Sequence, residues 1–323
     1  MEIAHVDQGR VVCPICAATM RPSGRRYSVD ELFAMWETSE FSHATVEEHK
    51  AQSESTQLHV CPKCELEMFM PQVIGTPNFY IDLQKAEQGA YYSDDKWDFR
   101  EGLHDVQEAS SIVEIGCGPG VFLQKAKSKA GRAIGQEYNQ SALDKARKNG
   151  LEVFALEDDV SGLKGQFDVA FSFHVLEHVA DPVEFVKEML SWVKPGGKVG
   201  ISVPNMGGPL KFLNPCVSNM PPHHATRWRA ETFEALAGKL ALKVERVKCE
   251  PLVAADQYYY STYWVKQSWL ARMLPVRCLQ FLQALTFKAL ALVFNVLGVF
   301  GKQEFGLLKG QSIYVLLSKQ DGR

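Results

Sequence analysis

Residues 113–122 read VEIGCGPGVF. They close a buried β-type run, SIVEIG (111–116), and open a helical pattern over 119–130, with Gly116, Gly118 and Gly120 at the junction. Glycines at a strand-to-helix turn let backbone N–H groups come close to a ligand, because no Cβ stands in the way. The spacing is GxGxG, not the GxGxxG of a dinucleotide-phosphate loop, and no P-loop lysine follows. Glu114 lies inside the strand, where a carboxylate repels a pyrophosphate but suits an ammonium group. Glu137 ends the next strand, 21 residues after Gly116, where a carboxylate can accept both hydroxyls of a ribose. The ligand implied has a ribose and a cationic amino-acid moiety, and it needs no phosphate.

Outward from this loop, short β-type runs alternate with helical ones. RAIGQE (132–137), LEVFA (151–155), FDVAFSF (167–173) and KVGISV (198–203) read as strands, with SALDKARKN (141–149) as a helix. A further helix over 182–193 puts Val183, Val186, Leu190 and Val193 on one face, and KPGG (194–197) ends it. Residues 241–248 and QSIYVLLS (311–318) are the last two strand candidates. Such alternation predicts an α/β fold with a parallel, doubly wound sheet. Four blocks in order, VEIGCGPG, the acidic Glu137, FDVAFSFHVLEHVADP (167–182) and LSWVKPGGKVGISVPN (190–205), resemble the class I S-adenosylmethionine-dependent methyltransferases. The resemblance covers roughly 90–250 and returns at 311–318. It implies a Rossmann-like sheet of seven strands whose last strand inserts antiparallel. It also implies that Glu114 and the loop Gly116, Cys117, Gly118 and Gly120 hold the methionine portion of S-adenosyl-L-methionine, and Glu137 the ribose. Among Glu157, Asp158 and Asp159 it favours Asp158 for the adenine amino group, and it sets Phe173 and His174 in the pocket wall.

Methyl transfer from a sulfonium is an in-line displacement, so the protein must align nucleophile and methyl and remove a proton when the nucleophile is a hydroxyl. Histidine is the usual base near neutral pH. His174 and His178 in HVLEH, and His223 and His224 in PPHHATRW, are the candidates; the second pair follows the fifth strand, on the ligand-bearing side of such a sheet. His223 or His224 is the preferred base. With Glu177, HxxEH also mimics a metal site, but similar strings form cofactor-pocket wall in the family. A small-molecule acceptor is expected, a sugar or a glycolipid or other lipid-linked precursor first, a quinone or polyketide-like compound second. A non-catalytic cofactor-binding protein is the alternative from another class.

Cys13 and Cys16 in VCPIC, and Cys61 and Cys64 in VCPKC, are two CxxC knuckles with 44 residues between them. Two such turns complete a tetrahedral four-cysteine site for structural Zn2+, whereas a redox motif needs only one pair. Residues 1–70 are therefore read as a zinc-binding, ribbon-like module, 71–105 as a connector and 106–323 as the methyltransferase domain, with an apolar helical insertion at 256–308. Inside the module, SVDELFAMWET (28–38) starts with a Ser28 cap and Glu31 three residues on, a helix signature. The module carries six Lys/Arg against eleven Asp/Glu and no basic stripe, which argues against nucleic acid as a partner.

The chain of 323 residues has 46% apolar and 23% charged residues and a net charge of −3, the composition of a globular protein. Its first residues, MEIAHVDQGR, do not read as a secretory signal, and eight cysteines are too few for a disulfide scaffold, so a reducing cytoplasm is the expected compartment. The apolar stretch 278–300 is long enough to span a bilayer by count, but the catalytic strand soon after it opposes a crossing. Gln280, Gln283, Lys288 and Asn295 instead mark one side of an amphipathic helix. Across 264–310 there are six Lys/Arg and one acid, with Trp264 and Trp269 nearby, which suits contact with a membrane surface or a lipid-linked acceptor through 264–305. A homodimer interface or a lid is the rival reading of the same insertion.

Overall fold

Seven strands share one sheet in the spatial order Leu242–Cys249, Ser312–Lys319, Val193–Pro204, Phe167–Phe173, Ser111–Ile115, Arg132–Gln136 and Glu152–Phe154. This computed structural model describes residues 6–7, 9–86, 96–213, 215–268, 273, 276–297, 304–305 and 308–319. The five strands from Val193–Pro204 to Glu152–Phe154 run parallel, and Ser312–Lys319 inserts antiparallel to both its neighbours. Near-continuous apolar runs such as Phe167–Phe173 are what a sheet covered on both faces requires. The chain leaves Ser111–Ile115 in one direction across the sheet and returns to its other side as Phe167–Phe173, pairing Ile112 with Val169 and Glu114 with Phe171. That reversal opens a crevice beyond the carboxyl ends of the two strands, the place where open α/β sheets bind ligands. Gly116 and His174 sit at those ends.

The covering helices start on side-chain caps. Asn139 Oδ1 accepts from the Ala142 N–H at the head of Gln140–Lys148, and Asp181 accepts from Val183 and Glu184 at the head of Pro182–Trp192. Two helices in the segment read as a connector, Pro77–Ala86 and Trp97–Asp105, carry side chains to the crevice.

The N-terminal strands Arg21–Ser28, Ser55–Val60 and Glu67–Met70 form a second, antiparallel sheet. Helix Val29–Ala34 begins with the full capping box of Ser28 and Glu31 and is shorter than the 28–38 pattern. The sheet gains a fourth strand from far along the chain: Thr226–Arg227 pairs with Glu67–Met70, setting Met68 opposite Thr226. Leu66, Met68 and Met70 belong to the same hydrophobic core as Trp228 and Phe233. Across the seam, Glu67 lies 3.5 Å from Arg227 Nη1 and accepts from Arg229 Nη2 at 3.0 Å. Arg227 is 4% exposed. A Glu67→Ala substitution leaves that guanidinium buried without its counter-charge, and a loss of about 3–5 kcal/mol is expected in urea unfolding.

Before the last strand come helices Ala254–Gln267 and Val276–Val296. The first is tied to the segment leading into the last strand by Tyr260, whose hydroxyl donates to Lys309 O, and by Asp256, which accepts from Gln311 Nε2. The second docks on the first through Gln283, which donates to Thr262 Oγ1, and through the buried Leu290. The docked side thus includes a polar residue, while Phe281, Leu285, Leu292, Val293 and Val296 are exposed. Among the described residues no helix is long and apolar enough to cross a membrane. Trp269 and residues 298–300 lie outside the described residues.

Candidate active site

Gly116, Gly118 and Gly120 have φ of +75°, +53° and +84°, a conformation that L side chains rarely adopt. At Gly116 a Cβ would stand 2.5 Å from Val175 Cγ2, so glycine is required by space as well as by φ. The N–H groups of Gly116 and Cys117 donate to Gln136 O and lock the loop to the neighbouring strand. The Cys117 side chain packs with Leu123 and Leu143. Gly120 caps helix Val121–Ala126 and does not line the cavity.

Above this loop lies a cavity of about 740 Å³. Glu114, Gly116, Cys117, Gly118, Glu137, Phe173 and His174, each expected at the cofactor, all line it. Asp158 does not: its carboxylate accepts from the Ala155 N–H and faces Arg147, while Leu156 of the same loop reaches the cavity. Glu137 is held by two N–H donors, Gly118 to Oε2 and Asn139 to Oε1, both at 2.7 Å. Glu114 is only 2% exposed, and its Oε2 has no hydrogen-bond partner. Burial, and then the charge of Glu137, push the Glu114 carboxyl well above its ordinary range. An orphaned buried carboxylate beside a backbone-anchored one fits the ammonium and ribose of S-adenosylmethionine, and the cavity can take that ligand with an acceptor.

Across the cavity are the histidines. His174, at φ +54°, puts Nε2 2.8 Å from Asp98 Oδ2 and Nδ1 3.3 Å from Glu177 Oε1. Burial opposes its charge, but the Asp98 and Glu177 carboxylates outweigh that and hold it at about 9. Asp98 also accepts from Ser202 Oγ. It comes from helix Trp97–Asp105 and has no sequence signature beyond an acidic-aromatic run, YYSDDKWDF, whose residues 91–95 lie outside the described residues. Tyr80, from helix Pro77–Ala86, has no sequence signature either; its hydroxyl is 3.1 Å from His178 Nδ1. His223 and His224 line the same cavity with rings stacked 4.4 Å apart. Burial, reinforced by neighbouring imidazoles, pushes His223 down to about 3 and His224 well below its ordinary value, so both are neutral at pH 7.

The four paired cysteines meet as one cluster, with sulfur atoms 3.5 Å apart for Cys13 and Cys64, and 3.3 Å for Cys16 and Cys61. The knuckles are built alike. In one, Cys13 donates its N–H to Ala18 O and accepts from Ala17; in the other, Cys61 donates to Leu66 O and accepts from Glu65. Ala17 and Glu65 each have φ of +58°. Tetrahedral Zn2+ with bonds near 2.3 Å needs sulfurs about 3.8 Å apart, so this donor set fits.

Residues 87–247 match the family model described as a methyltransferase domain. An uncharacterised 37.1 kDa protein of a Streptomyces fradiae transposon is 32% identical over 110 residues, 31% of this chain and 32% of that protein. Ubiquinone biosynthesis O-methyltransferase of Stutzerimonas stutzeri is 30% identical over 110 residues, covering 32% of this chain and 47% of the relative. The matches thus span from about a third to about half of these relatives' length. Among solved structures, a SAM dependent methyltransferase from Archaeoglobus fulgidus aligns with a TM-score of 0.47 at 17% identity, covering 75% of this chain and all of that one.

Proposed function

We propose that this chain, a member of the class I S-adenosylmethionine-dependent methyltransferase family, transfers the methyl group of S-adenosyl-L-methionine to a hydroxyl of a small acceptor with an apolar tail. The observation that carries the reading is Glu114, a buried carboxylate whose Oε2 lacks a partner, beneath a glycine loop and beside Glu137. The imidazoles of His178, His223 and His224 present nitrogen acceptors on the opposite wall, to which an acceptor hydroxyl can donate a hydrogen bond. Phe173 packs edge-on against Phe99 and makes the floor near the donor apolar. The four-cysteine cluster holds a structural Zn2+, since four protein ligands leave no open position.

A lipid-linked sugar and a polyprenylated phenol both satisfy the acceptor description. The exposed apolar face of helix Val276–Val296 supports such a tail, because its neighbour Ala254–Gln267 is tied to Gln311 on the cavity rim. The same face suits a peripheral membrane contact from the cytoplasmic side, or a second copy of the chain. The experiment is a transfer assay with isotopically labelled methyl donor against host lipid extract, fractionated into glycolipids and quinone precursors. Label is expected in an alkali-stable ether of one fraction. Label in neither fraction, with S-adenosylhomocysteine still bound, would leave cofactor binding without turnover as the function.

A further inference from the structure

We infer that Glu177, His178, His223 and His224 form a second metal site, for a divalent transition-metal cation, on the acceptor side of the cavity. This deepens the methyl-transfer reading above and rests on it for the role of the metal, though not for its binding. Donor atoms from the three histidines lie within 4.8 Å of one another. Glu177 Oε1 is 3.9 Å from His178 Nε2 and 4.0 Å from His224 Nε2. The two Glu177 separations are within about 0.6 Å of the roughly 3.4 Å edge of a tetrahedral site with bonds of 2.0–2.1 Å, and the histidine nitrogens would draw in by up to about 1.4 Å to reach it.

The hydrogen bonds behind the rings fix which nitrogens face inward. His178 Nδ1 points at His223 O, His223 Nδ1 at Ser218 O and His224 Nδ1 at Asn219 Oδ1. Each acceptor is an oxygen, so each Nδ1 carries the hydrogen and each Nε2 keeps its lone pair. An N–H anchored on an oxygen behind the ring is the arrangement that orients metal-bound imidazoles. Asn219 is itself held, since its backbone carbonyl accepts from Arg227 Nε and Nη2.

Glu177 is the independent observation. It is 1% exposed, and neither carboxylate oxygen receives a hydrogen bond. Its main-chain carbonyl accepts from the Ala225 and Thr226 N–H groups, which fixes the residue beside the histidine pair. Imidazole with carboxylate suits zinc, manganese or iron, whereas the four thiolates suit zinc and discriminate against manganese.

The role follows from general chemistry. A cation at this place that expands to five-coordinate can take an acceptor hydroxyl beside its four protein ligands, and it lowers the pKa of that hydroxyl. The hydroxyl releases its proton to solvent water, its oxygen bonds to the methyl carbon, and the carbon–sulfur bond breaks to leave neutral S-adenosylhomocysteine. His223 and His224 then act as ligands rather than as the base.

The test uses the full chain and metals alone. Manganese is read by loss of the free-ion spin-resonance signal, because thiolates do not hold it, and zinc by elemental analysis after gel filtration. One bound Mn2+ per chain, or a second zinc beyond the four-cysteine equivalent, is expected. Glu177→Gln and His224→Gln should each weaken binding at this site by roughly 100-fold or more. Calorimetry with S-adenosylhomocysteine on the same samples shows that the variants are folded, and it tests the cofactor reading separately. No bound manganese and no second zinc, or binding unchanged in both variants, would overturn the site.

Discussion

Replacing Glu114 by glutamine is expected to weaken S-adenosylhomocysteine binding by about 100-fold while making the ligand-free protein more stable at neutral pH. The two effects have one cause. Glu114 is buried, its Oε2 has no partner, and Glu137 stands near it, so the free protein carries an uncompensated acid. An ammonium group compensates it and gains a charge-assisted hydrogen bond that a carboxamide cannot match. The pH dependence follows from linkage. The folded pKa lies above the unfolded one, so the folded state binds more protons between the two values, and wild-type stability falls as pH rises through that window. The glutamine variant has no such loss. Its advantage is expected at pH 7 and should shrink toward zero as pH falls to about 4, where the unfolded chain is also protonated. Calorimetry and thermal melts at several pH values check both halves. Wild-type affinity in the variant would remove the ammonium from this site.

Stripping the zinc proposed for the four-cysteine cluster is expected to unfold more than the N-terminal module. A structural four-cysteine zinc is worth on the order of 10 kcal/mol of folding free energy, more than the whole stability of many domains. The consequences travel along contacts between module and site. Cys64 O accepts from Thr232 Oγ1, and the Phe69 N–H donates to Ala225 O. Ala225 and Thr226 in turn hold the Glu177 carbonyl. Chelation in the presence of a thiol reagent should therefore deprotect Arg21–Ser28, Ser55–Val60, Glu67–Met70 and also Thr226–Arg227 in hydrogen exchange, with turnover lost in parallel. Strands that stay protected and an enzyme that keeps working without zinc would show the module to be a passive appendage.

What the sequence disclosed was decided by locality. The glycine loop, its two acids and the strands around them form consecutive patterns, and the structure places Glu114, Gly116, Gly118 and Glu137 at one cavity. The cysteine pairs declared themselves through spacing, because each knuckle is a closed local turn. Asp98 gave no such sign: its partners His174 and Ser202 are distant in sequence, and its burial depends on where helix Trp97–Asp105 lands. The acid run 157–159 offered three equivalent carboxylates, and only the turn closed on Ala155 by Asp158 decides that Leu156 is the residue facing inward. The proposed metal cluster was only half legible, since Glu177 and His178 lie in HVLEH but His223 and His224 come from a loop that only tertiary pairing brings near.

The strand Thr226–Arg227 has a consequence for biosynthesis. Until the ribosome has delivered those two residues, Glu67–Met70 remains an open edge that includes Phe69 and Met70, a template for pairing with a neighbouring nascent chain. A cysteine knuckle can close early, but the sheet it anchors waits for more than a hundred intervening residues and for most of the large sheet. Expression of the first 86 residues alone should give an aggregation-prone fragment, and translation slowed between residues 70 and 226 should lower the soluble yield of the whole protein.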